Sequence, residues 1–589
     1  MIFMSILTLI MAKSLPSFYL KIYPVYFLRI SAIIFIYAGA LSFNTLYIQS
    51  IGSGIGIYSG LFHITQISQI IEVFLLIIGF FILIAWPIIN TKETQNKSTN
   101  LNFKITKSSN YSTDYSIIVL FSTLGSCLLL SCSDLISMYL SIELQSFGLY
   151  ILSTLYRDSE SSTSAGLKYF LLGGLSSCII LFGSGLIYAY TGITNFESLY
   201  SLCSIYEFNY IIQGLSLGLI FIFVGLLFKI AAAPLHNWSP DVYDDTPTIV
   251  TIWLTIIPKI SILILILEIY TQIGIIGEPL TLIVNINGYV EYFSALSEIS
   301  NININLDTIN LNNIISYTSI NVTNKLLILS SLFSLIIGTV VGLAQTKIKR
   351  LLAYSTISHI GFILLSLAIN TEQSIDSLLF YIIQYSITNL NIFLIIIALS
   401  YIINQNNIFN KDITLKDIKF ISEFKGLFFV NPVISFCLAV CLFSMAGIPP
   451  LIGFFSKQFV LYSAVQEGYY FISIVAILAS VVSASYYLKI IKILHTSNNL
   501  ENEELNYPNE DNTTKNSNSS LENSSNIISN TSLENKTNLY QEVESTNTEL
   551  TNFHSYLISL LTLSILLFIL KPNLILNSTQ LLSLSIFNL

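Results

Sequence analysis

Four strongly ionisable residues lie inside long apolar stretches of this sequence: Glu143, Lys229, Lys259 and Lys457. A charge at the centre of a bilayer costs about 2.5–3.5 kcal/mol on insertion scales, so each side chain is expected to face the protein interior and to contact a partner or water. A buried Glu–Lys pair can simply join two helices, but three lysines and one glutamate do not balance. Desolvation and mutual repulsion bring the charged and neutral forms of unbalanced ammonium groups close in free energy. We therefore predict that these residues load and unload protons.

His359, within the helical segment 355–362, adds an imidazole that can pass a proton by exchanging which nitrogen carries it. A single helical histidine is also a common packing residue, and that alternative stays open. His236 lies beside a predicted helix break, whereas Glu72 and Glu268 lie nearer the ends of apolar runs, which favours an interfacial position. We call Glu143, Lys229, Lys259, His359 and Lys457 the central row.

The six cysteines form no C-x-x-C pair and have no histidine at a spacing typical of metal ligands. We therefore expect no iron–sulfur cluster, zinc site or disulfide framework in this chain. Any chemistry of the central row is then proton transfer and not electron transfer.

The composition places these residues in a membrane. Of the 589 residues, 53% are hydrophobic and 10% are charged, whereas soluble domains carry about 25% charged residues. The mean hydropathy is +0.72. A soluble globule of this composition would expose large apolar patches to water. The chain is predicted to be an integral membrane protein, which excludes a soluble enzyme, a nucleic-acid-binding protein and a disordered scaffold.

Fourteen apolar runs are predicted to cross a bilayer as helices. Apart from closed barrels, only helices satisfy the hydrogen-bonding groups of the whole backbone inside lipid. They lie near 1–11, 20–43, 66–90, 113–132, 134–156, 165–190, 208–240, 248–272, 323–345, 351–369, 375–403, 430–465, 469–494 and 553–570.

Two of these spans are interrupted by small residues and proline, at 226–234 and 443–450. Proline opens the helix backbone, and such breaks are tolerated at membrane depth where they are buried or line a hydrated cavity. Each is the fourth helix of a five-helix block, 113–272 and 323–494, and an odd number of helices makes the second block enter from the opposite face. The pattern predicts an all-α polytopic membrane protein with two inverted five-helix repeats, each with a broken helix.

The remaining chain divides into three N-terminal helices (1–112), a polar external loop (273–322), an acidic insert (495–552) and a C-terminal membrane helix (553–589). Residues 501–550 contain ten acidic residues and two lysines, which accounts for the whole net charge of −8. This Asn-, Ser- and Thr-rich stretch has few large apolar residues, so we expect it to be disordered. The net charge therefore indicates nothing about a charged partner.

The basic residues predict the orientation, because they concentrate on the side from which translocation begins. Nineteen of the 25 lie in the odd-numbered loops, and only Lys325 and Lys571 lie in the others. Both termini are therefore expected outside, and the insert inside.

The segment from Lys229 to Lys259 reads KIAAAPLHNWSPDVYDDTPTIVTIWLTIIPK. It closely resembles the signature of the antiporter-like subunits of proton-pumping NADH:quinone oxidoreductase, respiratory complex I. The segments AGLKYFLLGGLSS (165–177), KRLLAYSTISHIGF (349–362) and AGIPPLIGFFSKQF (446–459) are similar to that family as well. The resemblance covers roughly residues 113–494.

The resemblance implies a role for each member of the central row. By position, the counterparts are Glu143 for the fifth-helix glutamate, Lys229 for the seventh-helix lysine, Lys259 for the eighth-helix lysine, His359 for the tenth-helix motif and Lys457 for the lysine of helix twelve. One subunit of this type tends to carry histidine on the eighth helix, and another carries glutamate on the broken twelfth. Lysine at both places is similar to the third type.

The resemblance further implies one proton-translocating channel, with NAD, FMN, iron–sulfur clusters and ubiquinone on other subunits and no cofactor on this chain. Its partners would be other membrane-arm subunits, accessory subunits and lipids, and no nucleic acid. A bias toward Ile, Asn, Tyr, Phe and Ser is typical of an AT-rich organellar gene, and the long insert is similar to fungal forms. These features imply the mitochondrial inner membrane, with both termini in the intermembrane space. An autonomous Mrp-type cation/proton antiporter or a hydrogenase membrane subunit stays open as the alternative.

Overall fold

A computed structural model of the chain describes residues 1–14, 24–48, 54–84, 102–157, 159–205, 210–272, 322–407, 417–496 and 552–587. Apart from a short hairpin, its regular elements are helices. The helices up to the external loop are α1 (Ile2–Ser14), α2 (Pro24–Ile48), α3 (Gln66–Ile84), α4 (Asn102–Leu130), α5 (Leu135–Ser153), α6 (Glu160–Thr191), α7 (Phe196–Ile205), α8 (Tyr210–Ile230), α9 (Trp238–Asp245) and α10 (Thr248–Gln272). Those after it are α11 (Val322–Leu343), α12 (Ile348–Ile369), α13 (Glu372–Asn407), α14 (Leu427–Val430), α15 (Pro432–Ala446), α16 (Ile452–Gln466), α17 (Tyr470–His495), α18 (Asn552–Leu566) and α19 (Asn573–Phe587).

Ten helices in the described part are long and apolar enough to cross a membrane, and four shorter apolar helices occupy 2–14, 114–130, 214–230 and 432–446. Each of the fourteen predicted runs overlaps one of these helices. The all-helical, multi-pass membrane fold is therefore confirmed. How many of the helices cross the bilayer stays a prediction.

Burial separates the central helices from those that face lipid. The most apolar windows of α10 and α12 are both 94% buried and that of α13 is 89% buried, whereas in the other long spans the buried share lies between 33% and 61%. The two halves of the chain meet here, because α13 packs against both α10 and α12. Among the ten long apolar helices of the described ranges, these three have the most buried windows, so they are suited to carry buried polar groups.

Both predicted breaks are confirmed. The first separates α8 from α9 and begins at Ala231, which has a φ of +65°. The Trp238 indole donates a hydrogen bond to the carbonyl of Phe228 at 2.9 Å, which satisfies one of the carbonyls left open at the end of α8. The second separates α15 from α16, and Gly447 ends α15 with a φ of +86°. Glycine suits this left-handed cap because it has no Cβ to clash.

Two short strands, β1 (Ile55–Ile57) and β2 (Phe62–Ile64), form an antiparallel hairpin that the sequence analysis did not predict. The hairpin packs on the α4–α5 turn, where the Ser133 hydroxyl donates to the Gly60 carbonyl at 2.5 Å. Strands of three residues are too short to show an alternating apolar pattern, so periodicity misses them.

The segment 553–589, predicted as one membrane helix, contains α18 and a second helix, α19, which packs against α13 and α3. The asparagine, serine, threonine and glutamine residues of α19 lower its hydropathy below that of a span.

The predictions for the external loop and the acidic insert lie almost entirely outside the described residues.

Candidate proton-transfer site

Glu143 and Lys229 form an ion pair between two helices. Lys229 is the penultimate residue of α8 and Glu143 lies midway along α5, and Lys229 Nζ is 3.7 Å from Glu143 Oε1. Their side chains are only 7% and 15% exposed. Within the described part of the chain, neither of these two atoms has a hydrogen-bond partner. Charge alone therefore holds the pair together, without the hydrogen bond that would fix its geometry.

A small, partly open cavity of about 20 Å³ adjoins Lys229 of this pair. Lys229, Tyr150, Trp238 and Pro258 are among its lining residues. The cavity has room for about one water molecule, and polar groups are among its lining. Pro258 and Ile262 bring α10, the helix that carries Lys259, to one wall of the cavity.

Lys259 is 2% exposed and has no acidic partner among the residues that the structure describes. Its ammonium donates a hydrogen bond to Thr356 Oγ1 on α12 at 3.1 Å and lies 5.4 Å from the centroid of the Tyr243 ring. The hydroxyl and the face of the aromatic ring provide partial counter-charge. Such weak stabilisation leaves the ammonium able to give up its proton.

Lys457 finds its counter-charge in the main chain. From the second turn of α16 its Nζ donates to the carbonyls of Met445 and Ala446, both at 2.9 Å. These carbonyls end α15, where the helix leaves its last acceptors open and its dipole is negative. The ammonium also lies 5.7 Å from the centroid of the Phe362 ring.

His359 lies between these two lysines. Thr356, His359 and Phe362 follow one another at intervals of three residues along α12, so they lie on neighbouring turns of one helix. Lys259 contacts the first and Lys457 contacts the last. The structure thus brings three members of the central row together on α12, while Glu143 and Lys229 form a separate pair between α5 and α8.

The other titratable candidates lie apart from the row. Glu72 and Glu268 are partly buried near the ends of α3 and α10. His236 lies in the first break with its Nδ1 3.3 Å from the carbonyl of Pro234. These positions give no contact with the central row.

Lys349 was assigned to a loop by the charge pattern, and this assignment is wrong. It lies in the first turn of α12, is 3% exposed, and donates to Asp417 Oδ2 and to the carbonyl of Thr246, both at 2.8 Å. Asp417 also accepts hydrogen bonds from the backbone N–H and hydroxyl of Thr248, at 2.9 and 3.1 Å. A residue of the second half of the chain therefore caps α10, the helix that carries Lys259. Sequence patterning misses this contact because it joins positions 169 residues apart.

Removing the Asp417 charge is expected to destabilise the protein. Burial alone would raise the pKa of Asp417, but the Lys349 ammonium and the Thr248 hydrogen bonds outweigh burial and lower it below the ordinary 3.8. The stabilisation that the ionised carboxylate provides is therefore complete when the pH is above the ordinary pKa of an aspartate. It is lost as the pH falls through the lowered pKa of Asp417 in the folded protein. Because Asp417 is partly exposed, we expect Asp417→Asn to cost about 1–3 kcal/mol, measured as a lower thermal inactivation temperature.

The matched control is Lys168→Ala, which removes an exposed lysine 3.4 Å from Asp241. Exposed pairs contribute about 0–1 kcal/mol, so the inactivation temperature should hardly move. Equal shifts of the inactivation temperature in the two variants would show that the contacts of Asp417 stabilise the protein no more than an exposed ion pair does.

Comparison with known proteins places the arrangement in a family. The model of the family described as "NADH:quinone oxidoreductase/Mrp antiporter, TM" matches residues 132–321 and 305–483. A curated relative from Rhizopus oryzae, NADH-ubiquinone oxidoreductase chain 2, is 44% identical over all of both chains.

Two solved structures share the fold. A chain of respiratory complex I from Thermus thermophilus superposes with a TM-score of 0.58 and 24% identity, over 84% of this chain and 90% of that one. A chain of the Mrp complex from Dietzia sp. superposes with a TM-score of 0.67 and 16% identity, over 100% and 96%. The chain belongs to the NADH:quinone oxidoreductase/Mrp antiporter family of membrane proteins, in its chain 2 branch.

Proposed function

We propose that this chain is a proton-translocating membrane-arm subunit of respiratory complex I, the NADH:ubiquinone oxidoreductase, in the mitochondrial inner membrane. The observation that carries the proposal is the central row itself. Its members are buried and occur in both halves of the chain, Glu143 and Lys229 form an ion pair, and a hydrogen bond and a ring contact connect Lys259 and Lys457 to the helix that carries His359. The Rhizopus oryzae relative, which is similar over its full length, supports the same assignment.

The Glu143–Lys229 pair acts as the switch in this proposal. When the carboxylate is close, the Lys229 ammonium is favoured, and when the distance grows, the buried ammonium loses its compensation and releases its proton. The proton then passes to Lys259, His359 and Lys457, each newly charged group repelling the next.

The redox chemistry belongs to partner subunits in this proposal. NAD, FMN, iron–sulfur clusters and ubiquinone would bind there, and this chain would bind none of them. Other membrane-arm subunits, accessory subunits and lipids would surround it. Electron transfer elsewhere then reaches this chain only as a change in the geometry of its charges.

An autonomous Mrp-type cation/proton antiporter is the competing function. The similarity to the Mrp complex is one of fold alone, whereas the Rhizopus oryzae relative, which is similar over its full length, is a chain 2 of NADH-ubiquinone oxidoreductase. A sodium site requires several oxygen ligands, and within the described residues the central row offers one carboxylate among three lysines. These two facts favour the complex I function.

Co-purification and a proton-pumping assay test the proposed function. A tagged chain is expected to purify with NADH:ubiquinone reductase activity, and sealed vesicles of the purified complex should acidify on one side when NADH and quinone are supplied. A chain that purifies without this activity, and that exchanges sodium for protons in vesicles without NADH, would be an antiporter.

The lysine asymmetry makes a separate prediction about orientation. A membrane-impermeant label confined to the matrix side should reach cysteines introduced beside Lys104 and Lys416, and a label on the other side should reach one beside Glu291. Mass spectrometry of labelled peptides measures both. The reverse pattern would invert the proposed topology and the direction of proton movement.

A further inference from the structure

His359 has a tyrosine hydroxyl at each of its two ring nitrogens. Nδ1 lies 2.7 Å from Tyr381 Oη on α13, and Nε2 lies 3.3 Å from Tyr487 Oη on α17. His359 is 4% exposed, Tyr487 1% and Tyr381 0%. A packing histidine needs one partner to fix its ring, whereas this one has two partners on different helices, each able to give and to accept a proton.

The two tyrosines approach His359 from different sides. Tyr487 lies eight residues before the end of α17, about 12 Å by helix rise, and its neighbour Tyr486 approaches Gly342 near the end of α11. The chain turns there into α12 through the basic residues that open that helix. Tyr381 lies nine residues after the start of α13, which is at the other end of α12. The Tyr487 side of the imidazole is therefore the side nearer the basic residues that open α12.

Tyr381 and Lys457 contact the same aromatic ring, that of Phe362. The Tyr381 ring stacks on Phe362 with 5.9 Å between centroids, and Lys457 lies on that same phenylalanine. Phe362 has no exchangeable proton, so it can position Tyr381 and Lys457 relative to each other but cannot itself pass a proton between them.

We propose that Tyr487, His359 and Tyr381 form a three-residue proton relay, in which Tyr487 connects the central row to the basic end of the bundle. The inference rests on the proposed function. A proton arriving at Tyr487 Oη lets that hydroxyl release its own proton to Nε2, Nδ1 releases its proton to Tyr381 Oη, and Tyr381 releases its original proton onward. Each group gains one O–H or N–H bond and loses one, so no phenolate forms, and the imidazole ends as its other neutral tautomer, with the proton on Nε2.

Tyr487→Phe tests the relay, since it deletes one hydroxyl and keeps the ring. In sealed vesicles of the assembled complex we expect quinone-linked turnover to fall at least about tenfold, since a positioned proton-transfer group contributes about 10²–10⁴-fold. The slowdown between H₂O and D₂O should become larger, because proton transfer then limits the rate. Tyr381→Phe should give the same two changes, and the double variant should be little worse than either alone.

The matched control is Tyr486→Phe, which deletes a buried hydroxyl from the adjacent ring without touching His359. It should leave both turnover and the isotope effect as they were. Equal losses in Tyr486→Phe and Tyr487→Phe with no change in isotope effect would overturn the relay in favour of packing. If Tyr487→Phe does not assemble, an unaltered isotope effect in Tyr381→Phe overturns it equally.

Lys229→Ala in the same vesicles separates this inference from the function on which it rests. Normal pumping by Tyr487→Phe beside impaired pumping by Lys229→Ala removes the relay and keeps the function. Normal pumping by both variants removes the function as well.

Discussion

Replacing Lys229 by alanine should reduce proton pumping by roughly tenfold or more while the subunit still assembles. The Lys229–Glu143 contact is a 3.7 Å ion pair with no hydrogen bond between these atoms, so the two helices do not depend on it for their alignment. Water in the adjoining cavity can solvate the carboxylate that remains. The measurement is the number of protons pumped per NADH in sealed vesicles of the intact complex.

Variants of Glu143 sharpen this prediction. Glu143→Ala should match the loss in Lys229→Ala, and Glu143→Asp should retain part of the activity because it keeps the charge at a longer distance. The double variant should cost little more than the worse single change, since both remove one switch. Unchanged pumping in Lys229→Ala, with normal assembly, would eliminate the mechanism.

Gly453→Ala should also reduce pumping severely, through a different cause. A Cβ at Gly453 would lie 1.8 Å from the Ser444 carbonyl oxygen, so α15 and α16 would have to separate. Lys457 lies one turn further along α16, and its bonds to the α15 carbonyls would stretch or break. Overpacking costs about 1–3 kcal/mol, and a misplacement of about 1 Å in a reacting group can cost on the order of a hundredfold in rate.

Gly174→Ala is the matched control, because a Cβ at that position of α6 has no atom within 4 Å. Pumping and the thermal inactivation temperature are measured for both variants. Full pumping by Gly453→Ala would show that the close approach of α15 and α16 does not position Lys457.

The sequence predicts local features of this molecule better than long-range ones. The apolar runs and the two breaks are visible because hydropathy and proline act on their own segment. The members of the central row stand out because a lysine or glutamate is costly in an apolar run. The roles given to them stay predictions.

The partners of these residues could not be predicted in the same way. Tyr381 and Tyr487 differ little from the aromatic residues around them in composition or spacing, so no local signal marks them as partners of His359. Lys349 looks like a loop residue until Asp417, 68 positions away, folds against it. The unequal count of lysines and glutamate is resolved by a threonine hydroxyl, an aromatic face and two peptide carbonyls, none of which a count of charged residues includes.

The carbonyls of Met445 and Ala446 have a consequence for how the chain tolerates mutation. The counter-charge of Lys229 is a side chain, so a single base change can delete it. The counter-charge of Lys457 is main chain, which no codon specifies and no proton neutralises at physiological pH. Inherited variation can therefore silence the Glu143 end of the row directly, but it can weaken the Lys457 end only by removing the lysine or by moving a helix.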